Sequence, residues 1–172
     1  MKKLLSCAVL ILALSINGIA QEVKTSKSQE DNPPMAAGLG PEWNMNSREN
    51  FGLGVSLAFD YKLPIDAAPF AAGFTASYSN NFYGITIIET AALFRWYFGG
   101  AVGLTEGFEG FFLQADLGAF FLFDNSETTP YFLGGLRTGY RFPLGTMFYA
   151  EPFGRMGYPF AFGIGALAGI TF

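Results

Sequence analysis

The sequence predicts an all-β chain: a transmembrane, antiparallel up-and-down β-barrel of eight strands. Three observations predict it. The 172 residues are 51% hydrophobic, with 20 Phe and 22 Gly, yet no apolar run after residue 20 approaches the roughly 20 residues a membrane-spanning helix needs. Only 14% of residues are charged, where soluble domains carry about 25%, so a soluble β-sandwich with a large core is short of surface material. From Met35 onward, apolar and small or polar residues alternate with period two in segments near the length of a tilted transmembrane strand.

The segments run as follows. Segment one, roughly Met35 to Met45, sets Glu42 opposite Leu39 and Trp43, and Pro41 within it predicts an irregular or bulged strand. In segment two Phe51, Leu53, Val55, Leu57, Phe59 and Tyr61 alternate with Gly52, Gly54, Ser56, Ala58 and Asp60. Segment three opposes Phe70, Ala72, Phe74, Ala76 and Tyr78 to Ala71, Gly73, Thr75 and Ser77. Segment four, about Thr86 to Phe98, puts Glu89 and Arg95 on one parity, opposite Ile88, Phe94 and Trp96. Segment five faces Phe111, Leu113, Leu117, Phe121 and Phe123 outward, and Gln114, Asp116 and Gly118 inward. Segment six, Tyr131 to Phe142, carries Arg137 and Arg141 opposite Phe132, Leu136 and Tyr140. Segment seven, Met147 to Tyr158, holds Glu151 and Arg155 in phase. Segment eight, Phe160 to Phe172, points Phe160, Phe162, Ile164, Ala166, Ala168, Ile170 and Phe172 toward lipid, and Gly163, Gly165 and Gly169 inward. Segments one, four, six, seven and eight are less pure, but the charges within a segment still choose one side.

The amino terminus sets the compartment. Met1, Lys2 and Lys3 form a basic n-region, Leu4 to Ile16 an apolar h-region, and Gly18-Ile19-Ala20 a small-residue cleavage site. A membrane anchor helix is the alternative, but the apolar core is too short for one. The expected organisation is a cleaved signal peptide over 1–20, a disordered periplasmic lead-in over 21–34 ending in Asn32-Pro33-Pro34, and the transmembrane barrel over 35–172. Loss of Lys2 and Lys3 leaves 8 basic against 14 acidic residues, a net charge of −6 that argues against a nucleic-acid partner. Cys7 lies in the h-region, so the exported chain has no disulfide and depends on closed strand pairing.

With both termini in the periplasm, the connections at Asn46 to Asn50, Ser79 to Gly84, Asp124 to Pro130 and Gly157 to Pro159 fall outside the cell. Those at Pro64 to Pro69, Gly99 to Gly110 and Pro143 to Gly145 fall in the periplasm. Trp43, Tyr61, Tyr78, Trp96, Phe98, Tyr140 and Tyr158 then sit near strand ends, as interfacial girdles require.

The signal peptide, the alternating strands and the terminal Gly169-Ile170-Thr171-Phe172 resemble the small eight-stranded outer-membrane barrels of the OmpA and OmpX type, over about Met35 to Phe172. The stretch Glu42-Trp43-Asn44-Met45-Asn46-Ser47-Arg48-Glu49-Asn50 resembles small treponemal outer-membrane barrel proteins. The resemblance implies a bacterial outer-membrane location and insertion by a barrel assembly machinery that reads the final strand, with Phe172 as its signal. It implies no activity, because such barrels serve as anchors, adhesins, conduits and enzymes alike.

With no His anywhere and no Cys after Cys7, the chain lacks His-based acid/base chemistry, Ser-His-Asp triads and the commonest zinc sites. No enzyme activity, cofactor or metal is expected. The candidate site is the set of inward charges Glu42, Asp60, Glu89, Asp116 and Glu151 with Arg95, Arg137, Arg141 and Arg155. An eight-stranded barrel is only wide enough for side chains to fill, and buried charges are tolerated only when paired. The expectation is an ion-pair network plugging a structural or surface-interaction barrel; the alternative is a narrow, porin-like channel for small solutes. Phe112, Phe120, Tyr149 and Phe153 also point inward and weigh against a conduit. The partners expected are outer-membrane lipid, the assembly machinery, and a host or solute ligand of unspecified chemistry.

Overall fold

The computed structural model describes residues 35–45, 51–65, 69–81, 84–97, 109–124 and 127–172. The expected signal peptide, the lead-in over 21–34, Phe98 and most of the connection between Gly99 and Gly110 lie outside the described residues. Eight strands follow in order: β1 (Met35–Met45), β2 (Phe51–Lys62), β3 (Phe70–Asn80), β4 (Ile85–Tyr97), β5 (Gly110–Asp124), β6 (Glu127–Leu144), β7 (Phe148–Tyr158) and β8 (Phe162–Thr171). Each pairs antiparallel with the next, and β1 pairs with β8 to close the barrel. The two ends of the folded chain meet at this seam. Met35 N–H donates to the Phe172 carbonyl at 3.1 Å, and Phe172 N–H returns to the Met35 carbonyl at 2.9 Å. Among the described residues the wall is closed up to the far rim, where β6 runs on beyond its pairing with β7; closure is the condition for a sheet in lipid.

The register sets the width of the barrel. Partners followed once around the wall run from Gly52 to Asn44, Gly163, Arg155, Arg137, Gln114, Arg95, Ala71 and back to β2 at Lys62, ten residues along from the start. With a rise of about 3.3 Å per residue and strands about 4.8 Å apart, that stagger tilts eight strands by roughly 40°. The lumen is then a column one or two side chains across.

The distribution of residues is inverted relative to a water-soluble protein. Phe132, Phe111 and Leu117 are 60% exposed or more, while Arg95 and Asp60 are wholly buried. Inside, large side chains face small ones across the wall. Tyr149, Phe153 and Arg155 of β7 stand opposite Gly169, Gly165 and Gly163 of β8. A Cβ at Gly169 would collide with the Tyr149 ring, and one at Gly165 with the Phe153 ring. Those glycines supply the room that the narrow lumen lacks. Two apolar clusters are packed among the polar side chains. One holds Ala58, Ala71, Tyr97, Phe112, Phe153 and Leu167, and the other, toward the end opposite the termini, holds Ile87, Ala91, Phe120, Leu133 and Phe160.

Four sequence expectations need correction. Of the irregular or bulged strand expected at Pro41, the irregularity is present and the bulge is not: β1 keeps one register against β2 from Met35 to Met45, and the same register against β8 on either side of Gly40 and Pro41, where the β8 pairing is interrupted. Pro41 lacks only an N–H, so one rung is lost without an added residue. The expected connection from Asp124 to Pro130 is mostly strand, because β5 and β6 stay paired out to Asp124↔Glu127. Phe160 does not face lipid; it is 4% exposed, because β8 begins only at Phe162 and the strand parity does not reach back to it. Segment six starts earlier than Tyr131, as β6 begins at Glu127.

Candidate functional site: the charged barrel interior

Each of the nine sequence-selected charges is carried on the inward parity of a strand: Glu42 on β1, Asp60 on β2, Glu89 and Arg95 on β4, Asp116 on β5, Arg137 and Arg141 on β6, Glu151 and Arg155 on β7. The structure sorts them into two groups along the barrel axis, because the stagger decides which strands deliver a side chain to the same level.

Nearer the termini, Asp60, Arg95, Arg141 and Glu151 form a closed quartet. Arg95 Nη1 lies 3.2 Å from Asp60 Oδ2 and 2.9 Å from Glu151 Oε2. Arg141 binds the same two oxygens, Asp60 Oδ2 at 2.8 Å and Glu151 Oε2 at 2.7 Å. Two cations and two anions therefore alternate, each touching both opposite charges, and all four side chains are at most 1% exposed. Gln114 extends the group: its Oε1 accepts from Arg95 Nε at 2.8 Å and also from Arg95 Nη2. Tyr97 O–H sits 3.1 Å from Arg95 Nη1. Rings close the remaining faces, with the Arg95 guanidinium 4.2 Å from the Phe112 ring centre and Arg141 4.1 Å from that of Tyr149. Desolvated cations gain from such ring faces. Glu151 Oε1 and the Tyr149 hydroxyl have no hydrogen-bond partner.

Toward the far end, Arg155 grips Glu89 through two nitrogens at 2.6 and 3.0 Å, the bidentate geometry that makes arginine–carboxylate pairs strong. Ser77 O–H adds a 2.6 Å bond to Glu89 Oε2. Glu42 Oε1 lies 3.6 Å from Arg155 and accepts from Asn44 Nδ2 at 2.7 Å and Ser79 Oγ at 3.3 Å. Arg137 and Asp116 stand between the groups, and their pairing is looser. Arg137 Nε is 3.9 Å from Asp116 Oδ2 and makes no hydrogen bond, although Arg137 Nη1 reaches Ser56 Oγ at 3.4 Å. Asp116 Oδ1 instead takes Gln114 Nε2 at 2.6 Å.

Sequence reading passed over Tyr97, Asn44 and Ser79. Tyr97 is in phase with Glu89 and Arg95, and Asn44 with Glu42, so parity places both inside. Their bonding partners, set by the stagger between strands, are not visible in a single segment. Among the described residues no three His, Cys, Asp or Glu side chains are grouped to hold a metal ion.

No protein-family profile matches the chain, and no curated protein does. Among solved structures, Neisserial surface protein A aligns over 80% of this chain and 96% of its own, with a TM-score of 0.55 at 9% identity. The two share the fold of a closed, antiparallel eight-stranded β-barrel. The β domain of the Bordetella autotransporter BrkA also aligns, over 73% of this chain and 57% of its own, at 17% identity and a TM-score of 0.31. The outer wall of this barrel is apolar and carries Tyr78, Trp96 and Tyr158 exposed near strand ends.

Proposed function

We propose that the chain is an integral outer-membrane β-barrel with a structural or surface-interaction role, exported by a cleaved signal peptide, and closed along its axis by its own side chains. One observation carries this reading: the Asp60–Arg95–Glu151–Arg141 quartet spans the lumen at a single level with no solvent-exposed member. A conduit needs a continuous open path, and at this level the four charged groups bind one another across the lumen. With no His in the chain and no Cys after Cys7, the titratable groups of the interior are carboxylates, arginines and tyrosines, and the carboxylates face arginines. The outward surface offers a place for partners. Among the described residues, β6 from Glu127 to Leu133 is paired to β5 alone, giving an unpaired strand edge at the far rim. At the other rim the exposed ring of Phe172 caps the seam, and it is the group proposed to be read by the assembly machinery.

A narrow solute channel is the second reading, favoured by a small polar cavity in the far half of the lumen. Liposome swelling separates the two. Vesicles carrying the refolded protein should take up small sugars no faster than protein-free vesicles, and faster uptake would promote the channel.

A further inference from the structure

That cavity is lined by Thr75, Ser77, Glu89, Asp116, Arg137 and Arg155, with Leu133 as its main apolar wall. We infer that it is a binding site for one buried water, which completes the Arg137–Asp116 pair. The cavity has room for a single water molecule. Its lining charges cancel, since Glu89 and Asp116 face Arg137 and Arg155, so a neutral guest is favoured over an ion. The hydrogen-bonding demand comes from Arg137. Among the described residues its Nε is the one buried side-chain nitrogen without a hydrogen-bond partner, on a residue 2% exposed. The carboxylate it faces stands off at 3.9 Å, too far for a direct bond. A water there accepts from Arg137 Nε–H and donates to Asp116 Oδ2, with the Thr75 and Ser77 hydroxyls within the same lining. Satisfying such groups is the usual role of internal water.

The inference sets Arg137 apart from the two arginines of the quartet. In the quartet, Arg95 Nε and Arg141 Nε bind protein oxygens directly at 2.8 and 2.7 Å and leave no gap to fill.

The test is water–protein ROESY on the wild-type protein in lipid nanodiscs, observing the arginine Hε resonances. Arg137 Hε should show a cross-peak to water of dipolar sign, while Arg95 and Arg141 Hε should show none. Absence of the Arg137 peak, or equal peaks at all three, would overturn the inference. A second measurement guards against assignment error. In Thr75→Val, which removes a lining hydroxyl and keeps the volume, the Arg137 cross-peak should weaken severalfold, and an unchanged peak also counts against the site.

Discussion

At the residue scale, Arg141 and Arg137 differ in what their removal leaves behind. Arg141→Ala strips one of two cations from Asp60 and Glu151, which stay buried at 0% exposure. Breaking a buried pair this way typically costs about 3 to 5 kcal/mol. Arg137→Ala removes a guanidinium whose nearest carboxylate is 3.9 Å away and already bound by Gln114. Urea unfolding in detergent should therefore show a larger loss for Arg141→Ala than for Arg137→Ala, and the reverse order would count against the two-group interior. Strand parity placed every one of these charges inside, because the pleat alternates whatever the partner strand is. It could not separate the groups. Whether Glu151 meets Arg95 or Arg137 depends on the stagger around the barrel, which no single segment records.

At the element scale, β7 and β8 work as a complementary pair, with Tyr149, Phe153 and Arg155 seated over Gly169, Gly165 and Gly163. Gly169→Val would push side-chain atoms into the Tyr149 ring beneath Arg141. Overpacking of this kind typically costs about 1 to 3 kcal/mol. The variant should unfold at lower urea, whereas Ala168→Val on the outward face should not. On the outer wall Leu117 lies midway along β5 and is 60% exposed. Leu117→Arg should cost about 2 to 4 kcal/mol if that face meets hydrocarbon. No loss in lipid would show that it does not. The inward glycines of β8 were legible as an alternation, while the reason for them, the bulky β7 residues opposite, needed the register. Phe160 was misread because alternation holds only while the backbone is extended, and β8 starts at Phe162. The β5–β6 extension was missed because Thr128, Thr129 and Pro130 read as turn residues, although their pairing continues to Asp124↔Glu127.

At the scale of the whole molecule, eight strands closed by Met35 and Phe172 make a continuous wall, greasy outside and charge-paired within. Such a wall should resist detergent. Unheated samples should migrate as a compact species on SDS gels, shift after boiling, and give β-rich circular dichroism, and a helical spectrum would end the barrel account. The fold class was legible because lipid outside and a narrow lumen inside impose opposite demands on alternate residues. The proposed closure of the lumen was less legible, because it depends on which side chains share a level. The most direct measurement of that central claim is single-channel recording of the wild-type protein in a planar bilayer. With the quartet of Asp60, Arg95, Arg141 and Glu151 spanning the interior, the account predicts a flat trace without stable conductance steps. Reproducible ion-conducting steps, lost when the protein is heat-denatured before reconstitution, would contradict it.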